Sequence, residues 1–191
     1  MRVITTAAPV TAAAGDCMCK SRYEGRAAVG SEWAGKAILE GRGLGLGGSV
    51  AESGPSGRQY LKSLGVTGST GGATGIGSTL KAPVRFAAFA NAVGIHADDY
   101  DDTQLAVAQD RVYGLLTHPT APALPGALAL AETKSMSGKQ LMLAYNIGVE
   151  LECKIAEAIA PRHYEDGFHT TGTVGVFGSA ASAAKLLGFD R

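Results

Sequence analysis

Neither charge is in surplus: 17 basic side chains face 17 acidic ones. The sum therefore offers nothing that a nucleic-acid backbone or an anionic membrane surface would attract. Long apolar runs are missing too. None approaches the roughly 20 residues that a membrane-crossing helix needs, so no transmembrane segment is expected. Cysteine is scarce and odd in number, with Cys17, Cys19 and Cys153 in no metal-ligand spacing. This argues against a disulfide framework or a cysteine zinc site and for a reducing compartment. Aromatics make up only 6% of the chain, so alanine and 27 glycines must supply much of the core. Small side chains let helix axes approach closely.

What is there divides unevenly. Residues 1–32 have no hydrophobic period and no continuous apolar stretch of the secretory kind. They are expected to be poorly templated or disordered, with an organellar transit peptide as the alternative. Residues 33–191 are enough for one sizeable core. Trp33, Ala37, Ile38 and Leu44 stand near helical spacing over 33–46, but Gly35, Gly41, Gly43 and Gly45 each weaken a helix by about 1 kcal/mol relative to alanine. Gly43, Gly45 and Gly48 match the letters of a dinucleotide fingerprint. No buried strand precedes them, as that fingerprint requires, so nucleotide binding is rejected.

A short amphipathic turn or two is expected over 57–65, and a loop or short edge strand over 66–78. Pro83 opens a helix to about residue 96. Residues 104–117 read as a helical turn or packed loop. Pro122 can start a helix reaching about Thr133. Ser137-x-x-Gln140 is a capping box, followed by a stripe of Leu141, Ala144, Tyr145, Gly148, Leu151, Ile155 and Ile159 that ends at Pro161. A last helix runs from about 172 to Leu187, with Gly188 as its stop. The fold class is an all-α bundle.

Chemistry concentrates at helix ends. "IHADDYDDT" places Asp98, Asp99, Asp101 and Asp102 in five positions, where each charge raises the cost of ionising the next. They follow a helix C-terminus, whose dipole is already negative, so a cation or proton is wanted there. His118 and His169 each precede a helix, where unpaired N–H groups favour a substrate carboxylate. Histidine titrates near neutrality, as a general acid or base must. A solvated aspartate loop and two structural histidines remain open alternatives, as does Mg²⁺ held by Asp99, Asp101 and Asp102. His96 and His163 receive no role.

Four segments now carry a resemblance: "FANAVGIHADDYDDTQLA", "DRVYGLLTHPTAPALPGALALAE", "SGKQLMLAYNIGVELECKIAEAI" and "HYEDGFHTTGTVGVFGSAASAAKLLG". Together they resemble the MmgE/PrpD family, which includes 2-methylcitrate dehydratases, cis-aconitate decarboxylases and iminodisuccinate epimerases. The resemblance implies the front part of that family's helical domain, over 33–191, without its smaller α/β lid domain. The family's site pattern falls on Asp99, Thr103, His118 and His169. His169 would be the principal general acid/base, and His118 would hold a substrate carboxylate or act as the opposing acid. Asp99 and Thr103 would orient substrate and histidines.

The implied substrate is a small di- or tricarboxylate, with a carbanion made or quenched beside a carboxylate and no metal or organic cofactor. A 2-methylcitrate dehydratase-like reaction comes first, with decarboxylase-like or epimerase-like activity, or an inactive helical oligomerisation module, as alternatives. Activity is expected to be impaired, because the family's basic residues farther along the chain have no counterpart here. A homodimer is implied, in the cytoplasm or, alternatively, the mitochondrial matrix, without nucleic-acid or membrane partners.

Overall fold

A computed structural model describes residues 10–25, 27–70, 72–107 and 112–190. Its helices are α1 (Val10–Lys20), α2 (Ala28–Gly48), α3 (Ser53–Ser63), α4 (Val84–Ile95), α5 (Thr120–Thr133), α6 (Gly138–Ile159), the single turn α7 (Arg162–Glu165) and α8 (Thr170–Leu187). Two small antiparallel ribbons join them: β1 (Ala73–Thr74) with β2 (Lys81–Ala82), and β3 (Gln104–Val107) with β4 (Val112–Thr117). The fold is all-α. No helix among the described residues is long and apolar enough to cross a membrane.

The long helix α6 starts at the expected capping box. Ser137 Oγ accepts from the Gln140 N–H, and the Gln140 side chain accepts from the Ser137 N–H. From there α6 packs on α8, α8 on α5, α5 on α4 and α4 on α2. Ala34, Ile95, Ala121, Ala123, Leu124 and Tyr145 form one core cluster between them. Gly188 ends α8 in the left-handed conformation, φ 70°, where a side chain would be strained.

The α2/α4 crossing gives Gly45 and Gly48 of the fingerprint-like glycines their actual role, while Gly43 faces open space. A Cβ on Gly48 would run into the Gly94 carbonyl, and one on Gly45 would stand 3.5 Å from Ile95 of α4. They are contact points between helices. Gly48→Ala is expected to cost about 1–3 kcal/mol through overpacking, despite alanine's better helix propensity. A urea midpoint equal to wild type would show that the crossing tolerates a methyl group.

Four expectations change. Within 104–117, β3 and β4 form an antiparallel pair with irregular register rather than a helical turn. Val107, Val112 and Tyr113 favour extended backbone, and the Gln104 side chain ties β3 to the Cys153 carbonyl of α6. Its connection, 108–111, lies outside the described residues. Helix α5 starts at Thr120, two residues before Pro122, because a first-turn proline loses no intrahelical bond. Helix α8 likewise starts at Thr170.

The fourth concerns the N-terminal segment, where α1 and the start of α2 are helical; residues 1–9 lie outside the described residues. Lys185 of α8 holds α1 by its carbonyl end, with Nζ donating to Met18 O at 2.7 Å, Ser21 O at 3.0 Å and Cys19 O at 3.3 Å. A cation there also complements the helix dipole. Lys185→Met is expected to release about 1.5–3 kcal/mol of charged hydrogen bonding, read as faster hydrogen exchange across α1. Unchanged α1 exchange would remove this role from Lys185.

Candidate active site

The site is built where three helix ends meet. Helix α4 closes on His96 as its C-cap. Three residues on, Asp99 takes φ 58°, a left-handed conformation that aspartate tolerates better than most residues. That turn carries the chain back inward, so the side chain of Asp101 is fully buried while that of Asp99 remains 75% exposed. His118 follows β4 just ahead of α5, and His169 is the N-cap of α8.

His118 lies between two carboxylates. Its Nε2 is 3.4 Å from Asp99 Oδ1 and its Nδ1 is 3.5 Å from Asp101 Oδ1. An imidazolium there meets a carboxylate oxygen at each ring nitrogen. The same Asp101 oxygen bonds His96 Nδ1 at 2.9 Å. The His96 ring is centred 4.8 Å from that of His118 and 6.3 Å from that of His169. His118 is buried and His169 exposed. His169 Nδ1 accepts the Gly172 N–H at 3.1 Å, so in this conformation its proton sits on Nε2, directed away from the cap.

The remaining aspartates divide the load. Asp98 is exposed. Asp102 caps α5, its Oδ1 accepting the Thr120 N–H at 3.1 Å and its Oδ2 the Thr120 O–H at 2.7 Å. Burial raises the Asp102 carboxyl above its ordinary value against the opposing effect of these bonds, and Asp101 adds to the rise. Behind Thr120 stands the Tyr145 hydroxyl, 2.6 Å from Thr120 Oγ1. Burial and the nearby Asp102 push that phenol up as well.

A further layer lies beneath His118. Its backbone N–H donates to Thr171 Oγ1 at 2.9 Å, and the neighbouring Thr117 hydroxyl donates to Glu152 Oε1 at 2.7 Å. Glu152 is completely buried. Burial pushes its carboxyl up to about 8, with Thr117 opposing and Asp102 adding to the rise. Cys153 beside it is pushed up to about 12 by burial, which leaves an inert thiol.

Of the residues singled out in the sequence, Asp99 and His118 stand together, with His169 one ring beyond. Thr103 is exposed, and among the described residues no hydrogen bond joins it to the histidines. His96 and Asp101, given no catalytic role, occupy the centre. The acidic set imagined for Mg²⁺ is not assembled, since Asp102 turns away to Thr120. Donor atoms of His96, Asp99, Asp101 and His118 do lie within 4.8 Å of one another, a mixed nitrogen and oxygen set of the type that divalent transition metals accept.

A family model, the MmgE/PrpD N-terminal domain, matches residues 9–191. The cis-aconitate decarboxylase of Homo sapiens is 34% identical over 160 residues, 80% of this chain and 31% of that protein. The cis-aconitate decarboxylase of Mus musculus is 34% identical over 113 residues, 56% of this chain and 21% of that protein. The matched region thus spans about a third or less of these relatives. It begins well ahead of Trp33.

Proposed function

The chain belongs to the MmgE/PrpD family, and from that membership we propose that it carries the imidazole half of a carboxylate lyase site acting on a small di- or tricarboxylate. The observation that supports this reading most is the convergence of His96, His118 and His169 from three helix ends, with His118 held between Asp99 and Asp101. The relatives' names favour decarboxylation of a cis-aconitate-like acid over the dehydration that the resemblance put first.

In such a step the C–C bond to the departing carboxylate breaks and CO₂ leaves. Its electron pair stays on the substrate, and an imidazolium delivers the proton that quenches it. His118 is the candidate proton donor, since carboxylates flank both its nitrogens. His169 presents Nε2–H to a substrate carboxylate, and the N-termini of α5 and α8 add partial positive charge. Acid/base groups in place of this kind contribute about 10²- to 10⁴-fold.

The test is thermal stabilisation by cis-aconitate together with CO₂ release. A ligand at a hundred times its Kd stabilises a fold by about 2.7 kcal/mol. The expected result is a rise in Tm that disappears in His169→Ala. Loss of the His169 cap itself costs only about 0.5–2 kcal/mol, and it shifts the baseline Tm, not the response to ligand. An equal response in both proteins would overturn the reading.

A further inference from the structure

Glu152 is a buried carboxyl that the proposed chemistry does not touch. It belongs to α6, yet it faces the N-terminal half of α8. A Cβ added at Gly178 would collide with Glu152 Oε2, and one at Gly175 would stand 3.6 Å from Oε1. Those two glycines leave the space in which the carboxyl sits. An apolar side chain of similar size would fill that space without the desolvation cost of a carboxyl, so packing does not account for the acid. What accounts for it is an acceptor requirement at Thr117.

Two hydrogen bonds hold the chain at Thr117 and His118. The His118 N–H donates to Thr171 Oγ1. The Thr171 and Thr117 hydroxyls are 3.4 Å apart, and Thr117 sits 2.7 Å from Glu152 Oε1. A threonine has one hydroxyl proton. Thr117 donates that proton to the closer carboxyl, and Thr171 Oγ1, the acceptor of the His118 N–H, stands 3.4 Å from the same hydroxyl. Glu152 thus anchors the residue next to His118, and Thr171 anchors the backbone N–H of His118 itself. Glu152 Oε2 has no partner among the described residues, so the contact with Thr117 is where the side chain acts. Around it stand Thr117 of β4, Pro122 of α5, and Gly175 and Gly178 of α8, none of them charged; Asp102 is the charge that bears on it.

We propose that Glu152 is a positioning residue for His118: through Thr117, the residue before it, Glu152 fixes the backbone that holds the imidazole between Asp99 and Asp101. This rests on the lyase reading of the site and adds to it a group that never meets substrate. Near neutral pH the acceptor is the carbonyl oxygen of a protonated acid, because burial holds that acid neutral. An amide oxygen serves the same purpose, and a methyl group does not.

Three variants of the whole chain test this: Glu152→Leu, Glu152→Gln and Thr117→Val. Two readouts are followed, the ¹⁵N resonances of the His118 imidazole and the kcat and KM for CO₂ release from cis-aconitate. Glu152→Leu and Thr117→Val are expected to shift the His118 resonances and lower kcat by about 10- to 100-fold with KM little changed. Glu152→Gln should restore both toward wild type. If Glu152→Leu does not fold, Thr117→Val, nearly identical in shape to the parent, carries the test. Folded Leu and Val variants with wild-type His118 resonances would overturn the proposal. A wild-type chain without turnover overturns the lyase reading, and the imidazole resonances then decide the positioning role by themselves.

Discussion

Replacing His118 with asparagine is expected to lower turnover of cis-aconitate by about 10²- to 10⁴-fold while leaving the chain folded. The ring is only 4% exposed, so the fold itself must tolerate the change. Asparagine keeps a polar group beside Asp101, whose Oδ1 also retains His96 at 2.9 Å. Asp99 is 75% exposed and stays solvated without its partner. No buried charge is therefore abandoned, and the stability loss should stay near the 0.5–3 kcal/mol of ordinary substitutions. What is removed is an imidazole whose two nitrogens each face a carboxylate. Measured kcat/KM and urea midpoints separate the two effects; wild-type turnover in a folded His118→Asn chain would remove His118 from the chemistry.

The second large effect concerns stability. Glu152 ionises near pH 4.5 in an unfolded chain and near pH 8 in the folded one, mainly because burial penalises its charge. The folded state binds this proton more tightly, so the contribution is fully present below pH 4.5 and is lost as pH rises toward 8. At about 1.4 kcal/mol per pH unit, roughly 5 kcal/mol of stability is at stake across that window. Losing it would remove a large part of the 5–15 kcal/mol that holds a typical domain together. Glu152→Gln keeps the Thr117 bond and cannot ionise, so its urea midpoint should stay flat where the wild-type value falls. Parallel midpoints at pH 5, 6.5 and 8 would show that the carboxyl is not paying this cost.

The legible parts of the sequence were those governed by local rules. The capping box at Ser137 and the glycine stop at Gly188 are chemistry within one turn, and both stand where the spacing puts them. The β3/β4 pair was not legible, because its strands are short and irregularly paired and draw support from α6, far along the chain. His118, His169 and Asp99 could be singled out from their places near helix ends and from the family resemblance. His96 could not, since its role depends on the left-handed turn at Asp99 that brings Asp101 beneath it.

Glu152 was readable in hindsight. It sits four residues after Gly148 and four before Ala156, both buried, so it lies on the apolar stripe of α6. A carboxyl on such a stripe, in a chain whose last helix is rich in glycine, is the signal that was available. The stripe drawn through Leu151 and Ile155 was offset by one residue from the one the structure buries.

The grip of Lys185 on α1 also bears on the order in which the chain is made. Met18 leaves the ribosome 167 residues before the lysine that holds its carbonyl. During synthesis α1 must therefore wait, as a short helix marginal in water by itself, until α8 emerges. A tether between residues so far apart makes α1 a late part of this bundle to settle, and leaves it open to proteases and chaperones while the intervening residues are made.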